Sequence, residues 1–245
     1  VVWNLVSTAK IVYICVYYTH NMENSIRLAV DAVVFGYDEG NISVLLVKRK
    51  YEPFQDTWAL PGGFVLEDEN LEQAVERELT EETGVKFNYL EQLYTFGELG
   101  RDPRGRIVSV TYFGLVKPKA FKLSPSTDAK KAEWFNIQKL PKLAFDHKKI
   151  LNVAIERLRG KITYEPIGFE LLDKKFPFSD LEKLYMTLLD RDIDRRNFKK
   201  KINSLKVLDE LEEKVSQGPG RPASLFQFNK QRYFQLKKEG IIFEI

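Results

Sequence analysis

Three glutamates, Glu78, Glu81 and Glu82, stand where a helical repeat asks for apolar residues. From Leu71 onward, Leu71, Ala74 and Val75 follow the i, i+3, i+4 spacing of a helix with one buried face. Carried on at about 100° per residue, the same stripe runs through the three carboxylates. Glu72, Gln73, Glu76 and Thr80 take the solvated side. Carboxylates at this spacing repel one another by roughly a few tenths of a kcal/mol per pair, and partial burial raises the cost. A positive charge has to compensate. Arg77 is one neighbour able to do so, and a divalent cation is the other. Magnesium takes carboxylate and water oxygens in octahedral array and leaves positions for substrate phosphates. The cluster therefore suits a site that holds Mg2+ (or Mn2+) against a pyrophosphate. A glutamate-rich solvated helix is the plainer reading of such residues, but the stripe geometry and the Pro61-Gly62-Gly63 loop ahead of the helix weigh against it.

The elements that must position this helix can be read from the flanking pattern. Ile26 to Phe35 and Ile42 to Lys48 are β-rich runs joined by the turn Asp38-Glu39-Gly40-Asn41, a hairpin signal. After the helix come strands near Tyr89 to Phe96, Ile107 to Val116 and Lys131 to Phe135, then a closing helix over Ala144 to Arg159. Strands and helices interleaved with hairpin-length turns predict an α+β domain with a mixed sheet rather than a doubly wound parallel one. The stretch Gly160 to Pro177, with Pro166 and Gly168 between two helical patterns, reads as a domain junction.

Composition narrows the chemistry further. With one cysteine, Cys15, and two histidines, His20 and His147, the chain has no internal disulfide and no Cys/His zinc cage, so a metal must be held by oxygen ligands. No apolar run approaches the roughly 20 residues of a membrane span. Lys and Arg balance Asp and Glu at 21 each up to residue 159, and the basic excess, 17 against 14, falls from Gly160 onward. The first 21 residues lack a starting Met and a small-x-small cleavage site. They are expected to be a disordered or non-native extension ahead of Met22.

The residues Gly63, Glu69 after five more, then Arg77-Glu78-Leu79-Thr80-Glu81-Glu82-Thr83-Gly84-Val85 after seven more match the Nudix box at every defined position. Residues Met22 to Arg159, with the approach Trp58-Ala59-Leu60-Pro61-Gly62-Gly63 and the later Glu133-Trp134-Phe135, resemble a Nudix hydrolase domain. The resemblance implies an α/β/α sandwich. It implies that Glu78 and Glu82 are the main metal ligands, assisted by Glu81 with the Gly63 carbonyl nearby, and that Arg77 and Glu69 tie loop to helix. Gly62 and Gly63 would permit the tight backbone that brings a carbonyl to the metal, and Gly84 would cap the helix. The implied reaction is attack of water on a phosphorus of a nucleoside diphosphate derivative, with Glu81 or Asp128 as the candidate proton acceptor and Arg77 part of the catalytic set.

Arg101, Arg104 and Arg106 lie within six residues, pinned by Pro103 and Gly105. Guanidinium groups there could reach a pyrophosphate or stack on an adenine, against the plainer reading of a charged hairpin turn. The segment resembles its counterpart in ADP-ribose-type Nudix domains and their regulatory relatives, which makes ADP-ribose or a close nucleoside diphosphate sugar the expected ligand. Phe145-Asp146-His147 is also usual in that group, but a lone histidine at a helix start is more often a cap or packing residue, and His147 is left out of the expected site.

Beyond the junction, Ser179 is expected to cap a helix with the stripe Leu181, Leu184, Tyr185 and Leu188. A second helix, about Arg195 to Leu205, turns Phe198, Ile202 and Leu205 inward and leaves Arg195, Arg196, Lys199, Lys200 and Lys201 outward. Strands over Val207 to Val215 and Ser224 to Phe228, joined by a turn carrying Arg221, complete a pattern that resembles a winged helix. It would place Arg195, Arg196, Lys199 and Lys200 in the major groove of double-stranded DNA and Arg221 on phosphate or the minor groove. A protein-contact module is the alternative. The order of a Nudix domain over 22–159 and a winged helix over 160–245 resembles the Nudix-related transcriptional regulators, which implies a cytoplasmic homodimer. Two readings follow: an active pyrophosphohydrolase fused to a DNA-binding module, or a regulator of NAD or sugar metabolism whose Nudix domain only senses its ligand.

Overall fold

The computed structural model describes residues 25–38, 40–87, 89–125, 129–216 and 222–240. The expectations for residues 1–21, Asp128 and Arg221 lie outside the described residues. The chain begins with β1 (Arg27–Asp38), which turns back into β2 (Asn41–Arg49) as the expected hairpin, in register Phe35 to Val44. Two short strands follow, β3 (Trp58–Ala59) and β4 (Gly62–Phe64), then helix α1 (Leu71–Thr83), β5 (Tyr89–Phe96), β6 (Ile107–Val116) and β7 (Ala129–Asn136). These strands form one seven-stranded sheet in the order β3-β2-β1-β6-β5, with β4 joined to β1 and β7 to β2. It is mixed, because β1 and β6 run parallel from Arg27–Ile107 to Gly36–Val116 while the other pairings are antiparallel.

The sheet is covered on both faces, which explains the near-continuous apolar run of β1. Val30, Ala32 and Val34 face α1 and pack with its Ala74, Val75 and Leu79. Val33 and Phe35 face helix α2 (His147–Tyr164) and pack with its Ile150, Leu151, Ala154 and Leu158. The result is the α/β/α sandwich. Helix α2 runs past the expected end at Arg159, because Ile162 continues its buried stripe. A mid-helix glycine costs about 1 kcal/mol, and tertiary packing overrides it at Gly160.

After α2 come β8 (Phe176–Pro177), α3 (Phe178–Leu189), α4 (Arg195–Leu205), β9 (Leu208–Val215), β10 (Ala223–Phe228) and a helix that the sequence pattern did not announce, α5 (Lys230–Lys238). The expected Ser179 cap is corrected. Helix α3 starts at Phe178, two residues earlier than such a cap implies, and its cap position is Pro177, which makes no side-chain cap bond. Asp194 caps α4 instead, accepting from the Asn197 N–H at 3.0 Å. Strands β8, β10 and β9 form a three-stranded antiparallel sheet behind the two helices, the winged-helix arrangement.

The two lobes share one apolar cluster. Phe35, Leu151 and Ile162 of the first belong to the same buried set as Leu181, Leu184, Tyr185 and Phe198 of the second. The contact is reinforced by Arg159, whose Nε donates to the Leu188 carbonyl at 3.2 Å and whose Nη2 pairs with Asp190 at 2.8 Å. No helix among the described residues is long and apolar enough to cross a membrane.

Candidate functional site: a carboxylate and arginine cleft

A cleft of about 410 Å³ opens beside β1 and β4, and Gly62, Gly63, Glu78, Glu82, Asp31, Arg101 and Arg104 are among its lining residues. Helix α1 is aimed at it by strong end signals. Asn70 accepts from the Gln73 N–H while the Gln73 side chain accepts from the Asn70 N–H, a reciprocal pair that satisfies two orphan donors. At the far end Gly84 takes a left-handed conformation, φ 75°, and its N–H donates to the Thr80 carbonyl.

Arg77 fastens the loop before α1 to the helix. Its Nε donates to Glu69 Oε2 at 2.8 Å and its Nη2 to Glu69 Oε1 at 2.6 Å, a two-point clamp. The same guanidinium reaches Glu78 Oε1 at 2.8 Å and the Phe64 carbonyl at 3.1 Å. This clamp holds the Glu69 carboxyl down to about 2, the paired hydrogen bonds from Arg77 being the main cause.

Glu82 is buried, with 7% of its surface exposed, and its Oε2 accepts from the Gly62 N–H at 2.9 Å. Glu78 lies against Gly63 so closely that a Cβ there would sit 2.2 Å from its Oε1. Gly62 is fixed for another reason. It pairs with Asp31 of β1, its φ is +154°, and a Cβ would meet the Val30 carbonyl oxygen at 2.2 Å.

These positions fit a divalent cation. Two carboxylates one helical turn apart line one side of the cleft, and the space beside them stays open because residue 63 has no side chain. Among the described residues no three acidic, histidine or cysteine side chains gather as a metal cage. A cation here would draw its remaining oxygens from water and substrate, as magnesium does. The expected third carboxylate stands apart. The Glu81 side chain is 46% exposed, leans on Arg77 Nη1 at 3.5 Å and faces the outer groove of α1.

Of the three expected arginines, two reach the cleft. Arg101 has a nearly buried side chain, 5% exposed, clamped by Asp146 at 2.9 and 2.7 Å and lying 3.4 Å from Asp31. Arg104 is paired with Asp102 through Nε and Nη2 and rests near the rings of Phe64 and Phe145. Arg106 turns away and donates to the Gly97 carbonyl at 2.5 Å.

Sequence reasoning missed a polar cluster at the end of the cleft. Asp31 Oδ2 accepts from Ser109 Oγ at 2.5 Å, and its Oδ1 lies 3.5 Å from His147 Nε2. His147 is 4% exposed, and its Nδ1 accepts from the Leu60 N–H at 2.8 Å. That bond places the imidazole proton on Nε2, towards Asp31. Burial depresses the histidine pKa and keeps the ring neutral. His147 is thus a packing residue that braces β3 against α2. One signal for Asp31 was present: it is the single acid in the apolar run Ala29-Val30-Asp31-Ala32-Val33.

In the second lobe, α4 buries Phe198, Ile202 and Leu205 as expected and exposes Arg195, Arg196, Lys199 and Lys200. The Lys199 ammonium also lies 5.3 Å from the centre of the Phe178 ring. Strand β9 is acidic by contrast, with Asp209, Glu210, Glu212 and Glu213 exposed.

Comparison with known proteins agrees with this geometry. The family model for the NUDIX domain matches residues 25–153, and that for the NrtR DNA-binding winged helix domain matches residues 168–228. The chain is 34% identical over 210 residues to the ADPR responsive transcriptional repressor NtrR of Acinetobacter baylyi, covering 84% of this chain and 83% of that one. It is 42% identical over 124 residues to the ADP-ribose pyrophosphatase of Methanocaldococcus jannaschii, covering 51% of this chain and 70% of the relative. The crystal structure of Shewanella oneidensis NrtR complexed with a 27mer DNA superposes with a TM-score of 0.71 at 34% identity, covering 84% and 94% of the two chains. The Nudix domain of that protein complexed with ADP ribose matches at a TM-score of 0.52 and 40% identity, covering 55% of this chain and 90% of that one. The chain therefore belongs to the Nudix family, and within it to the branch that carries a C-terminal NrtR-type winged helix.

Proposed function

We propose that this protein is a DNA-binding transcriptional regulator whose Nudix domain binds ADP-ribose or a closely related nucleoside diphosphate sugar, and that the same domain hydrolyses the pyrophosphate of that ligand. The observation that carries the reading is a single cleft lined by the carboxylates of Glu78 and Glu82 together with Arg101 and Arg104. The regulator from Acinetobacter matches across both lobes, which supports the pairing of ligand and DNA binding in one chain. The pyrophosphatase from Methanocaldococcus matches the Nudix lobe alone, which supports the hydrolytic part. We place the join between the units at Glu165, where α2 ends.

Glu78 and Glu82 would hold a divalent cation, Mg2+ or Mn2+. When bound, such a cation supplies positive charge to the phosphoryl oxygens and lowers the pKa of an attached water. The rest of the site is this chain's own work. Arg77 orients Glu78, Glu69 orients Arg77, and the Gly62 N–H fixes Glu82. Arg104 offers the remaining edge of its guanidinium to the ligand's phosphates, while Arg101, held by Asp146, supplies fixed positive charge at the cleft wall. Glu81 braces Arg77 from outside the cleft, and Glu81 and Asp128 are the two candidate proton acceptors in this reading. In the second lobe Arg195, Arg196, Lys199 and Lys200 would enter the major groove, with Arg221 on the backbone, and a homodimer would match a palindromic operator.

Release of AMP from ADP-ribose with Mg2+, measured for the wild type and Glu82→Gln, tests the catalytic part. The amide can still accept from the Gly62 N–H, so the fold stays while the charge goes. Activity in the wild type and its loss in the variant are expected. If both are inactive on a panel of nucleoside diphosphate derivatives while ADP-ribose still binds, the domain is a sensor. The similarity over both lobes to the transcriptional repressor from Acinetobacter is the observation that favours this second reading. Binding of DNA from around its own gene, with and without ADP-ribose, tests the regulatory part; affinity indifferent to salt and to ligand would overturn it.

A further inference from the structure

Helix α2 runs from the cleft to the winged-helix lobe, and an aspartate–arginine pair holds it near each end. At its start Asp146 occupies the cap position, yet its side chain makes no cap bond. Both of its carboxylate oxygens are taken by Arg101 of the cleft, at 2.9 and 2.7 Å. A capping carboxylate ordinarily satisfies the orphan N–H groups of its own helix; this one is turned to the cleft wall instead. Further along, about 20 Å away at about 1.5 Å per residue, stands Arg159.

Arg159 lies on α2 but directs its guanidinium to the second lobe. Its Nε donates to the Leu188 carbonyl at 3.2 Å, and its Nη2 donates to Asp190 Oδ2 at 2.8 Å. Leu188 belongs to the last turn of α3, where carbonyls lack helical partners. Asp190 is where the chain leaves that helix. It is not glycine, yet its φ is 54°, a left-handed conformation that a residue with a side chain adopts where its surroundings hold it. Residues 190–194 make up the whole link between α3 and α4, and Asp194 at its end caps α4. The direction of the basic helix is therefore set by a turn that Arg159 fastens to α2. Helix α3 is seated on the first lobe as well: a Cβ on Gly40 of the β1–β2 turn would lie 2.4 Å from Cε of Lys183.

An exposed ion pair by itself is worth little. Here the same guanidinium also caps a helix carbonyl, and it acts at a pivot. Helix α4, with 11 residues, is about 16 Å long, so a tilt of about 10° at the turn carries its far end by about 3 Å. That displacement is enough to break a hydrogen bond to a phosphate.

We propose that Arg159 is the positioning residue for α4, and that through α2 it makes the direction of α4 depend on what fills the cleft. A phosphate-bearing ligand that draws on Arg101 alters the hold of Arg101 on Asp146 at one end of α2, and Arg159 passes the shift to the turn at the other. This rests on the reading of the cleft as an ADP-ribose site and of the second lobe as a DNA-binding module.

The test measures the affinity of the full chain for duplex DNA from around its own gene, by anisotropy, with and without saturating ADP-ribose. Calorimetry gives the ADP-ribose affinity of the DNA-free protein. Arg159→Ala removes both bonds, and Asp190→Gly removes the carboxylate while suiting the left-handed turn. Each is expected to weaken DNA binding by about three- to tenfold, the scale of one or two such bonds. The ratio of DNA affinities with and without ADP-ribose should shrink towards one, while ADP-ribose affinity without DNA stays that of wild type. Arg157→Ala is the control. It removes a comparably exposed arginine of α2 that is held inside the first lobe by Glu91 and the Leu93 carbonyl, and it should keep both the DNA affinity and its response. A full response to ADP-ribose in Arg159→Ala, or an equal loss in Arg157→Ala, overturns the proposal. Wild-type protein whose DNA affinity ignores ADP-ribose overturns the regulatory reading itself, and the two failures are therefore distinct.

Discussion

Adjacent glycines in the loop before α1 should respond in opposite ways to the same methyl group. In Gly63→Ala the new Cβ would lie 2.2, 2.5 and 2.8 Å from Oε1, Cδ and Oε2 of Glu78 and meets nothing closer. The obstacle is the tip of a flexible side chain, which must retreat by about 1 Å to regain contact distance. The retreat weakens the 2.8 Å pair with Arg77, worth at most about 1 kcal/mol at a partly exposed site. The loss of glycine freedom in the unfolded chain returns about 0.4–1 kcal/mol. Stability should therefore stay within about 1 kcal/mol of wild type. The carboxylate, however, leaves its place, and Mn2+ affinity and AMP release should each fall at least tenfold. In Gly62→Ala the obstacles are the Val30 carbonyl oxygen at 2.2 Å and the Asp31 Cα at 2.9 Å, and φ is +154°. Backbone cannot swing aside, so the β1–β4 pairing must open, at about 2–5 kcal/mol for strain and overpacking together. Urea unfolding gives the two stabilities, and titration with Mn2+ gives the metal affinity. The reasoning fails if Gly63→Ala unfolds as readily as Gly62→Ala, or if it keeps wild-type Mn2+ affinity.

Other outcomes follow from the charges. The Glu69 carboxyl, held down to about 2 by Arg77 against an ordinary 4.5, contributes stability that is fully present above about 4.5 and is lost as pH falls towards about 2. The melting-temperature gap between wild type and Glu69→Gln should therefore narrow across that window. The buried neutral His147 has a lowered pKa, so the unfolded chain binds the extra proton first, and stability falls as pH drops below about 6.5. His147→Asn, which keeps an acceptor for the Leu60 N–H, should flatten that part of the pH–stability curve; an unchanged slope would refute it. For the winged helix, replacing Lys199 and Lys200 by Ala should reduce the salt dependence of DNA binding, with the log–log slope falling by about 0.9 for each phosphate that is no longer neutralised. Anisotropy titrations at several salt concentrations give this slope.

What could be read from the sequence was whatever repeats or punctuates. Strands β5 and β6 lie where their apolar patterns end, and α4 spans the expected residues with its three apolar side chains buried. The carboxylate stripe was legible because Glu78 and Glu82 break a period, although Glu81 sits at its edge and turns to solvent. Strands β3 and β4 were not legible, since two or three residues, two of them glycine, carry no period. They exist because β1 and β2 offer unpaired edges to them. Most of the cleft wall was hidden for a similar reason. Asp31, Arg49, Phe64 and Phe145 come from four separate segments, and their meeting is a property of the sheet rather than of any window of residues. Helix α5 escaped notice because its polar composition leaves one buried residue, Leu236.

The common oily interior under α2 has a mechanical meaning. Phe35 and Leu151 on one side and Leu181 and Phe198 on the other are wet or dry together. Cutting the chain after α2 would strip the far half of its lining and lay bare side chains that water does not tolerate, so the second lobe is not a bead on a string. The cleft and the basic helix α4 rest on one shared interior, and heat or denaturant should dissolve them at the same moment.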